Sequence, residues 1–376
     1  RSRITHLISR YSRHKTDLLL QFRDPDAVPD ELRNLGVTTD GELLIRYANR
    51  TEHVIHHTEQ AFSNALQRLG RAEDQWLFFL EGHGERQPLG KANHDLGLWG
   101  VRLEKLGFKL QSLNLTNTAA VPGNAAVLIV ASPMVKVLPE EAKTIVRHIE
   151  TGGNLLWLAE PAADHGLELL AEALGIKFVT GTIVDPTSRR YKNADPTFTI
   201  VSEYAAHPST EGFRYTTLYP HATAIEVVDD SRYLARALMV TAPGAWSEAG
   251  VLDGEVGLDT SIDTPGPLTL GLSLTRQRQA KDRDNQGEQR IAVLGDGDFL
   301  SNTYVGNSGN LDFGLRIITW LSADDDFLKI PARTTNNHQF ELDDTTGLFL
   351  AICFLFGFPL SLAGCGSALW WHRRRS

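Results

Sequence analysis

Cysteine is almost absent from the sequence, which has only Cys353 and Cys365 among its 376 residues. Both lie in one apolar run near the C-terminus, so the rest of the chain has no cysteine for a disulfide framework or a zinc cluster. The rest of the chain also lacks a cysteine nucleophile and a CxxC pair, which argues against thiol chemistry. Cysteine-stapled scaffolds and cysteine-dependent enzymes are therefore excluded.

Several catalytic motifs are also missing. No G-x-x-x-x-G-K-[ST] phosphate loop occurs, so the chain is not itself an ATPase, although Lys91 follows a glycine. There is no HExxH helix, and no G-x-[SC]-x-G turn. The apolar run at 125–131 leads instead into Ser132 and a proline. A hydrolase with an activated nucleophile has little support.

Basic residues are outnumbered, with 37 lysines and arginines against 46 acidic residues and a net charge of -9. This balance argues against nucleic acid or anionic lipid as the main partner. Apolar residues make up 42% of the chain and charged residues 22%, as in globular proteins. The length is sufficient for two domains.

A run of 25 residues, 347–371, contains no charged side chain. It is long enough to cross a bilayer core of ~30 Å as a helix, so we predict a transmembrane helix here. Residues 331–346 form a polar linker before it, and the basic tail 372–376 follows it. The positive-inside rule places this tail in the cytoplasm and the large domain on the outer side of the cytoplasmic membrane. Because the first residues contain no apolar span, we expect another membrane helix upstream.

Residues 1–57 predict a small N-terminal α/β unit. It has a helix at 4–15, a short strand that runs into a proline-marked turn within 17–29, and a hairpin at 41–55. Its size fits a thioredoxin-like layout.

Residues 58–330 show alternating strands and helices. We predict helices at 58–71, 96–108, 139–153, 167–176 and 310–322, and strands at 75–80, 109–115, 125–132, 154–161, 222–228, 234–241 and 290–295. Continuous apolar strands between amphipathic helices indicate a parallel sheet covered on both faces. The fold class is therefore α/β, with a flavodoxin-like or class I glutamine amidotransferase-like domain. Residues 277–289 are predicted to form an exposed hairpin tip.

The turn "EGHGER" follows the first strand of this domain, where open α/β sheets bind ligands. Glu81, His83 and Glu85 are candidates for acid/base or metal chemistry, with His94 and His207 as further ligands. Arg86 belongs to the same candidate surface. The alternative is a structural turn in which two glycines bend the chain and the polar groups bond to backbone amides.

A second polar turn, "GDGDFLSN", places Asp296 and Asp298 at another strand end. The pair suggests a calcium or magnesium site, but the ligand spacing of an EF-hand is missing. Turn formation and helix capping by Asp298 or Ser301 explain the residues more simply. The sequence assigns no metal or cofactor.

An ordered series of segments, "TEQAFSNALQRL", "FFLEGHGER", "VLIVASP" with "LPEEA", "GGNLLWLAEP", "ADPTFTI", "VLGDGDFLSN" and "NLDFGLRIITWL", resembles the auxiliary component of the gliding-motility type of ABC transporter. The resemblance also includes the final span and its arginines. It implies an extracytoplasmic amidotransferase-like domain between two membrane helices, with a separate ATPase and permease as partners. It supplies no catalytic residues.

The leading hypothesis is therefore a non-enzymatic, membrane-anchored accessory subunit of an ABC transporter, which binds other subunits or a transported substrate and can assemble as an oligomer. The alternative is a membrane-anchored hydrolase or metal-binding enzyme that uses Glu81, His83 and Glu85. A carbohydrate- or peptide-binding module with the same anchor is a third hypothesis.

Overall fold

The structure is a computed structural model, and it describes residues 2–13, 17–24, 35, 37, 41–47, 50–54, 57–70, 74–161, 165–191, 195–228, 232–253, 256–278, 287–323, 364, 366, 370 and 373–375. The chain divides into two units, 1–331 and 332–376. All strands and nearly all helical residues described below belong to the first unit.

The N-terminal elements are helix α1 (Ser2–Ser12), strands β1 (Leu43–Tyr47) and β2 (Arg50–Val54), and helix α2 (Glu59–Gly70). The two strands pair antiparallel, with Tyr47 opposite Arg50, which confirms the predicted hairpin. Apolar side chains of all four elements form one small core. The short strand predicted at the start of 17–29 is wrong, because residues 17–24 are irregular. Residues 25–29 lie outside the described residues.

A seven-stranded sheet forms the centre of the first unit, in the order β12-β15-β16-β6-β5-β3-β4. Its strands are β3 (Gln75–Leu80), β4 (Phe108–Leu113), β5 (Ala125–Ala131), β6 (Leu155–Leu158), β12 (Leu234–Val240), β15 (Thr269–Gln277) and β16 (Glu288–Leu294). The five neighbouring strands from β16 to β4 run parallel to one another. The apolar runs in this part of the sequence predicted a parallel sheet.

Four helices cover the two faces of this sheet. Helices α3 (Gly97–Lys105) and α6 (Asn310–Leu321) contribute to one core cluster, while α4 (Pro139–Glu150) and α5 (Glu168–Leu174) contribute to the other. Helix α4 begins at proline, and α5 ends at Gly175 in a left-handed conformation, as helix-end chemistry favours. The prediction of an α/β layer structure is confirmed.

The sheet is mixed rather than entirely parallel, because β15 runs antiparallel to both β16 and β12. Strand β15 was not predicted. The predicted hairpin at 277–289 is consistent with the pairing of Gln277 with Glu288. Short strands form three smaller sheets: β7 (Ile176–Phe178) with β11 (Ile225–Val227), β9 (Phe198–Val201) with β10 (Thr217–Pro220), and β8 (Thr182–Val184) with β13 (Trp246–Glu248) and β14 (Thr264–Pro265). Within the described residues, 3₁₀ helices span Pro186–Tyr191 and Asp298–Leu300.

The predicted transmembrane helix at 347–371 falls almost entirely outside the described residues. Among the residues that are described, no helix combines the length and the apolar character needed to cross a membrane.

Candidate functional site

The turn after β3 is held by its own polar side chains. The backbone N–H of His83 donates to Glu85 Oε2 over 2.7 Å, and His83 Nδ1 lies 3.2 Å from Glu85 Oε1. Gly82 and Gly84 have φ values of 124° and 78°, which side-chain-bearing residues rarely adopt. The next helix begins only at Gly97, so the turn opens a longer loop rather than leading directly into a helix.

A second acidic residue, Glu141 from the first turn of α4, also contacts His83. His83 Nε2 lies 2.8 Å from Glu141 Oε2, so both ring nitrogens contact carboxylate oxygens. The side chains of all three residues are almost fully buried. Glu141 Oε1 also accepts the Thr116 hydroxyl over 2.7 Å. Glu141 was not predicted from the sequence. Its Oε2 also accepts the backbone N–H of Leu138, the residue before the helix, as the glutamate of a capping box does.

Arg86 connects the ends of three strands. Its guanidinium Nη2 lies 2.7 Å from Glu160 Oε1, just after β6, and its Nη1 lies 3.0 Å from Asp298 Oδ1, after β16. Nη1 also donates to the carbonyl of His94 over 2.8 Å. Arg86 and Asp298 were both candidates from the sequence, and the structure places them in one ionic network. Glu160 was not predicted.

Asp296 has a different role from its neighbour. It is fully buried, and its Oδ1 and Oδ2 accept the backbone N–H groups of Asp298 and Phe299 over 2.7 and 3.2 Å. The side chain that accepts the first N–H groups of the short helix Asp298–Leu300 is therefore Asp296, and not Asp298 or Ser301 as the sequence suggested. These N–H groups are usually accepted by the side chain of the residue directly before the helix. That residue is Gly297, which has no side chain, and Asp296 accepts them instead.

The electrostatics of this network reflect its burial. Burial raises the pKa of Asp296 well above its usual value, with the Glu160 and Asp298 carboxylates adding to the effect. Burial also raises the pKa of Glu160, against the opposing effect of Arg86. For Arg86, burial alone would lower the pKa, but the Glu160 and Asp298 carboxylates outweigh it and the pKa is raised. The guanidinium therefore stays charged, and the carboxyl groups of Glu160 and Asp296 bind protons more tightly than they would in water.

Ser132 lies at the end of the central strand β5 with a φ of 52°, in the left-handed region. α/β hydrolases place a nucleophile on such a strained turn. Ser132 is 1% exposed, and its hydroxyl lies near enough to Glu160 to lower the pKa of that carboxylate. It nevertheless makes no hydrogen bond of normal geometry within the described part of the chain, and no such bond joins it to a histidine. The backbone of Ser132 thus has the conformation of a nucleophile turn, but no described hydrogen bond joins its hydroxyl to a general base.

The other predicted ligands do not join this cluster through any described contact. The side chain of His94 is 67% exposed, with its Nε2 3.7 Å from Asp95 Oδ1. His207 Nδ1 bonds to the Ser209 hydroxyl over 2.8 Å, and its ring packs on Trp320. The backbone N–H of Glu81 bonds to Leu113, and its side chain is half-buried. The predicted group of Glu81, His83 and Glu85 is therefore only partly brought together.

The loop that follows Ser132 presents large apolar side chains to solvent. Met134, Val135 and Leu138, here called the apolar loop, are 66%, 57% and 54% exposed. The backbone N–H groups of Met134 and Val135 both donate to the carbonyl of His83, and Val137 donates to His165. At Leu138 the backbone N–H donates to Glu141. The loop is thus fixed by the turn that carries His83.

A cleft of about 510 Å³ adjoins Glu160 on the side of α5 and β7. Its lining is apolar at Ile176, Phe178 and Val179 and acidic at Glu168 and Glu172. Lys177 also lines it and pairs with Glu226 over 2.8 Å. Glu160 is the member of the ionic network that lines this cleft.

The fold and these polar groups define an α/β protein with a buried ionic network at the carboxyl edge of its parallel strands. The chain belongs to the family described as "ABC-type uncharacterized transport system", whose sequence profile matches residues 75–329. That membership indicates an accessory role in ABC transport. No curated protein gives a significant match.

Several solved structures match this chain at low sequence identity. The mmIFT52 N-terminal domain has 18% identity and a TM-score of 0.46, covering 65% of this chain and 97% of its own. A ThuA-like protein from Bacteroides uniformis has 15% identity and a TM-score of 0.37, with 66% and 91% covered. A protein from Thermoplasma acidophilum, described as one component of a GMP synthase, has 13% identity and a TM-score of 0.36, with 69% and 100% covered.

Proposed function

We propose that this protein is a non-enzymatic accessory subunit of an ABC transporter, anchored in the cytoplasmic membrane with its α/β domain on the outer side. In this proposal the domain docks on the extracytoplasmic surface of the permease, and a separate ATPase supplies the energy. The family supports the transport role. The C-terminal apolar run and its arginines, read from the sequence, support the anchor and the orientation.

The observation that carries the proposal is the apolar loop. Exposing a large apolar side chain forgoes about 1.5 to 3 kcal/mol of burial energy, and this loop exposes three. The loop's backbone N–H groups donate to the carbonyls of His83 and His165, so the loop backbone has little conformational entropy left to lose on binding. Rigid, exposed apolar side chains are typical of sites where a partner binds.

The neighbouring polar groups favour docking over catalysis. Both ring nitrogens of His83 contact carboxylates, whereas a general base needs one nitrogen directed at its substrate. Ser132 is buried and has no described hydrogen bond to a base. At this edge of the sheet, the polar residues support the loop and connect the strands.

The test is co-purification of the full chain from its native membrane in mild detergent, followed by mass spectrometry. We expect an ABC permease and ATPase in the wild-type eluate. Replacing Met134, Val135 and Leu138 together by serine should remove the permease. Val251→Ser is the matched control, because Val251 is also exposed, at 86%, but lies elsewhere. Permease capture that survives the triple substitution would exclude the loop as the docking site, and repeated absence of transporter subunits from the wild type would refute the accessory role.

The enzyme hypothesis has one observation in its favour, which is the left-handed backbone of Ser132 at the end of β5. It predicts that a serine-directed fluorophosphonate probe labels the protein and that Ser132→Ala abolishes labelling. Labelling at Ser132 would overturn the non-enzymatic proposal, and its absence would support that proposal.

A further inference from the structure

The ionic network at the carboxyl edge has a charge imbalance. Three carboxylates, from Glu160, Asp296 and Asp298, lie close enough for one oxygen of each to fall within 4.8 Å of the others. Arg86 is the only cation that contacts them among the described residues. With all groups ionised, two negative charges remain without a cation. Such an excess is costly where the side chains are mostly buried.

Arg86 contacts only one oxygen of Glu160 and one of Asp298. It uses Oε1 of Glu160 and Oδ1 of Asp298, so neither ion pair involves the second oxygen of either carboxylate. The oxygens of Asp296 each accept one backbone N–H and retain a second lone pair. Each of the three carboxylates can therefore offer an oxygen to an ion while Arg86 keeps its contacts. In that arrangement the guanidinium orients the ligands from outside.

A separate observation points to a ligand at the same place. Ser132 is 99% buried, yet its hydroxyl has no described hydrogen bond of normal geometry. The hydroxyl is directed at the stretch between the two aspartates, because a methyl group built on Gly297 would collide with it. The same methyl group would lie 3.2 Å from Glu160 Oε1. An unpaired buried hydroxyl costs free energy, and a neutral oxygen beside three carboxylates is a common ligand of hard cations.

We propose that Glu160, Asp296, Asp298 and the Ser132 hydroxyl form a binding site for one divalent cation of the hard, oxygen-preferring class, Mg²⁺ or Ca²⁺. The ion supplies the two positive charges that the network lacks and links the loops after β5, β6 and β16. The cleft beside Glu160 provides its route from solvent. Its role is structural, since it fixes three strand ends next to the apolar loop. It is independent of the identity of the docking partner.

The rival occupant of the space is a buried water molecule, which would satisfy the Ser132 hydroxyl and the unpaired Arg86 Nε without any ion. A cation titration distinguishes the two, because water does not respond to Mg²⁺ or Ca²⁺ at fixed ionic strength.

The experiment uses the full chain in detergent, stripped with chelator and titrated with MgCl₂ or CaCl₂ to roughly 10 mM, above the dissociation constants of weak extracellular calcium sites. NaCl keeps the ionic strength constant. At about a hundred times the dissociation constant, the thermal midpoint should rise by roughly 3 to 4 °C for a chain of this size. Calorimetric titration should give one ion per chain. A larger response to Ca²⁺ or to Mg²⁺ identifies which of the two ions the site prefers.

Variants separate this site from surface carboxylates. Glu160→Gln and Asp298→Asn keep the shape and a hydrogen-bonding oxygen for Arg86, and each should reduce cation affinity at least tenfold. Ser132→Ala should weaken binding less. Glu140→Gln is the matched control, because the Glu140 side chain is 83% exposed, and it should respond like the wild type. The measured quantity is the cation-induced shift within each variant, so a general loss of stability does not imitate the result. No shift in the wild type, or an equal shift in Glu160→Gln, would overturn the proposal and assign the hydroxyl to water.

Discussion

Replacing Arg86 by methionine should strongly destabilise the protein at neutral pH. Methionine keeps most of the side-chain length but removes the partner of Glu160 at 2.7 Å and of Asp298 at 3.0 Å. Breaking a buried ion pair typically costs about 3 to 5 kcal/mol, because the remaining charge is left without compensation. The side chains of Glu160 and Asp298 are 14% and 27% exposed, so water can solvate them in part. We therefore expect a loss close to 3 kcal/mol.

The loss should become smaller as the pH falls. Burial already raises the pKa of Glu160 and Asp296 in the folded protein, and removing the guanidinium raises both further. A carboxyl group with a raised folded-state pKa binds protons more tightly in the folded than in the unfolded chain. Its contribution to stability is therefore present at low pH and is lost as pH rises through the folded pKa. The variant should thus be closest to the wild type under mildly acidic conditions.

Urea unfolding followed by tryptophan fluorescence, at neutral and at mildly acidic pH, measures both effects. Adding Glu160→Gln and Asp298→Asn to Arg86→Met removes the uncompensated charges and should recover part of the lost stability. Arg10→Met is the matched control. It breaks an ion pair with Glu59 whose side chains are 44% and 41% exposed, and it should cost less than about 1 kcal/mol. A near-wild-type midpoint for Arg86→Met, or a deficit that does not change with pH, would refute the charge argument.

Two further predictions concern residues outside the ionic network. Burial against Trp320 lowers the pKa of His207 from 6.5 to about 4. Its contribution to stability is therefore present above pH 6.5 and is lost as pH falls toward 4. The loss should be about 2 kcal/mol after allowance for solvent screening, and His207→Gln should flatten that part of the pH profile in urea unfolding. The fully buried Asn310 side chain donates to the carbonyls of Leu218, Phe299 and Tyr304. Asn310→Ala should therefore lower the free energy of unfolding by about 3 kcal/mol. A change below about 1 kcal/mol would indicate that water replaces the amide.

The sequence predicted the parallel core because its strands are continuous apolar runs and its helices carry end signals such as Pro139 and Gly175. Strand β15 was missed because its apolar residues alternate with small and polar ones within a region rich in turns. The segment at 17–24 reads as a strand from its leucines, yet Leu19 is 84% exposed and no partner strand fixes it in the described structure. Local propensity could not decide either case.

The membership of the ionic network depends on the order of strands, which local sequence does not give. Arg86 follows β3, and it reaches past β5 to Glu160 after β6 and Asp298 after β16. The partners are 74 and 212 residues away in sequence, and only the sheet order brings them to one edge. Ser132 was set aside because its surroundings lack the G-x-S-x-G pattern, although its backbone adopts the strained turn of that motif.

Hydrogen bonds join the polar turn that carries His83 to the apolar loop. The His83 carbonyl accepts two loop amides, its ring lies between Glu85 and Glu141, and Glu141 in turn accepts the amide of Leu138. A His83→Ala substitution would thus disturb the loop even if the histidine never contacted a substrate. Loss of function in that variant would not distinguish an enzyme from a docking subunit. Substitutions at Met134 and its exposed neighbours do distinguish them, because those side chains have no acid, base or nucleophile to lose.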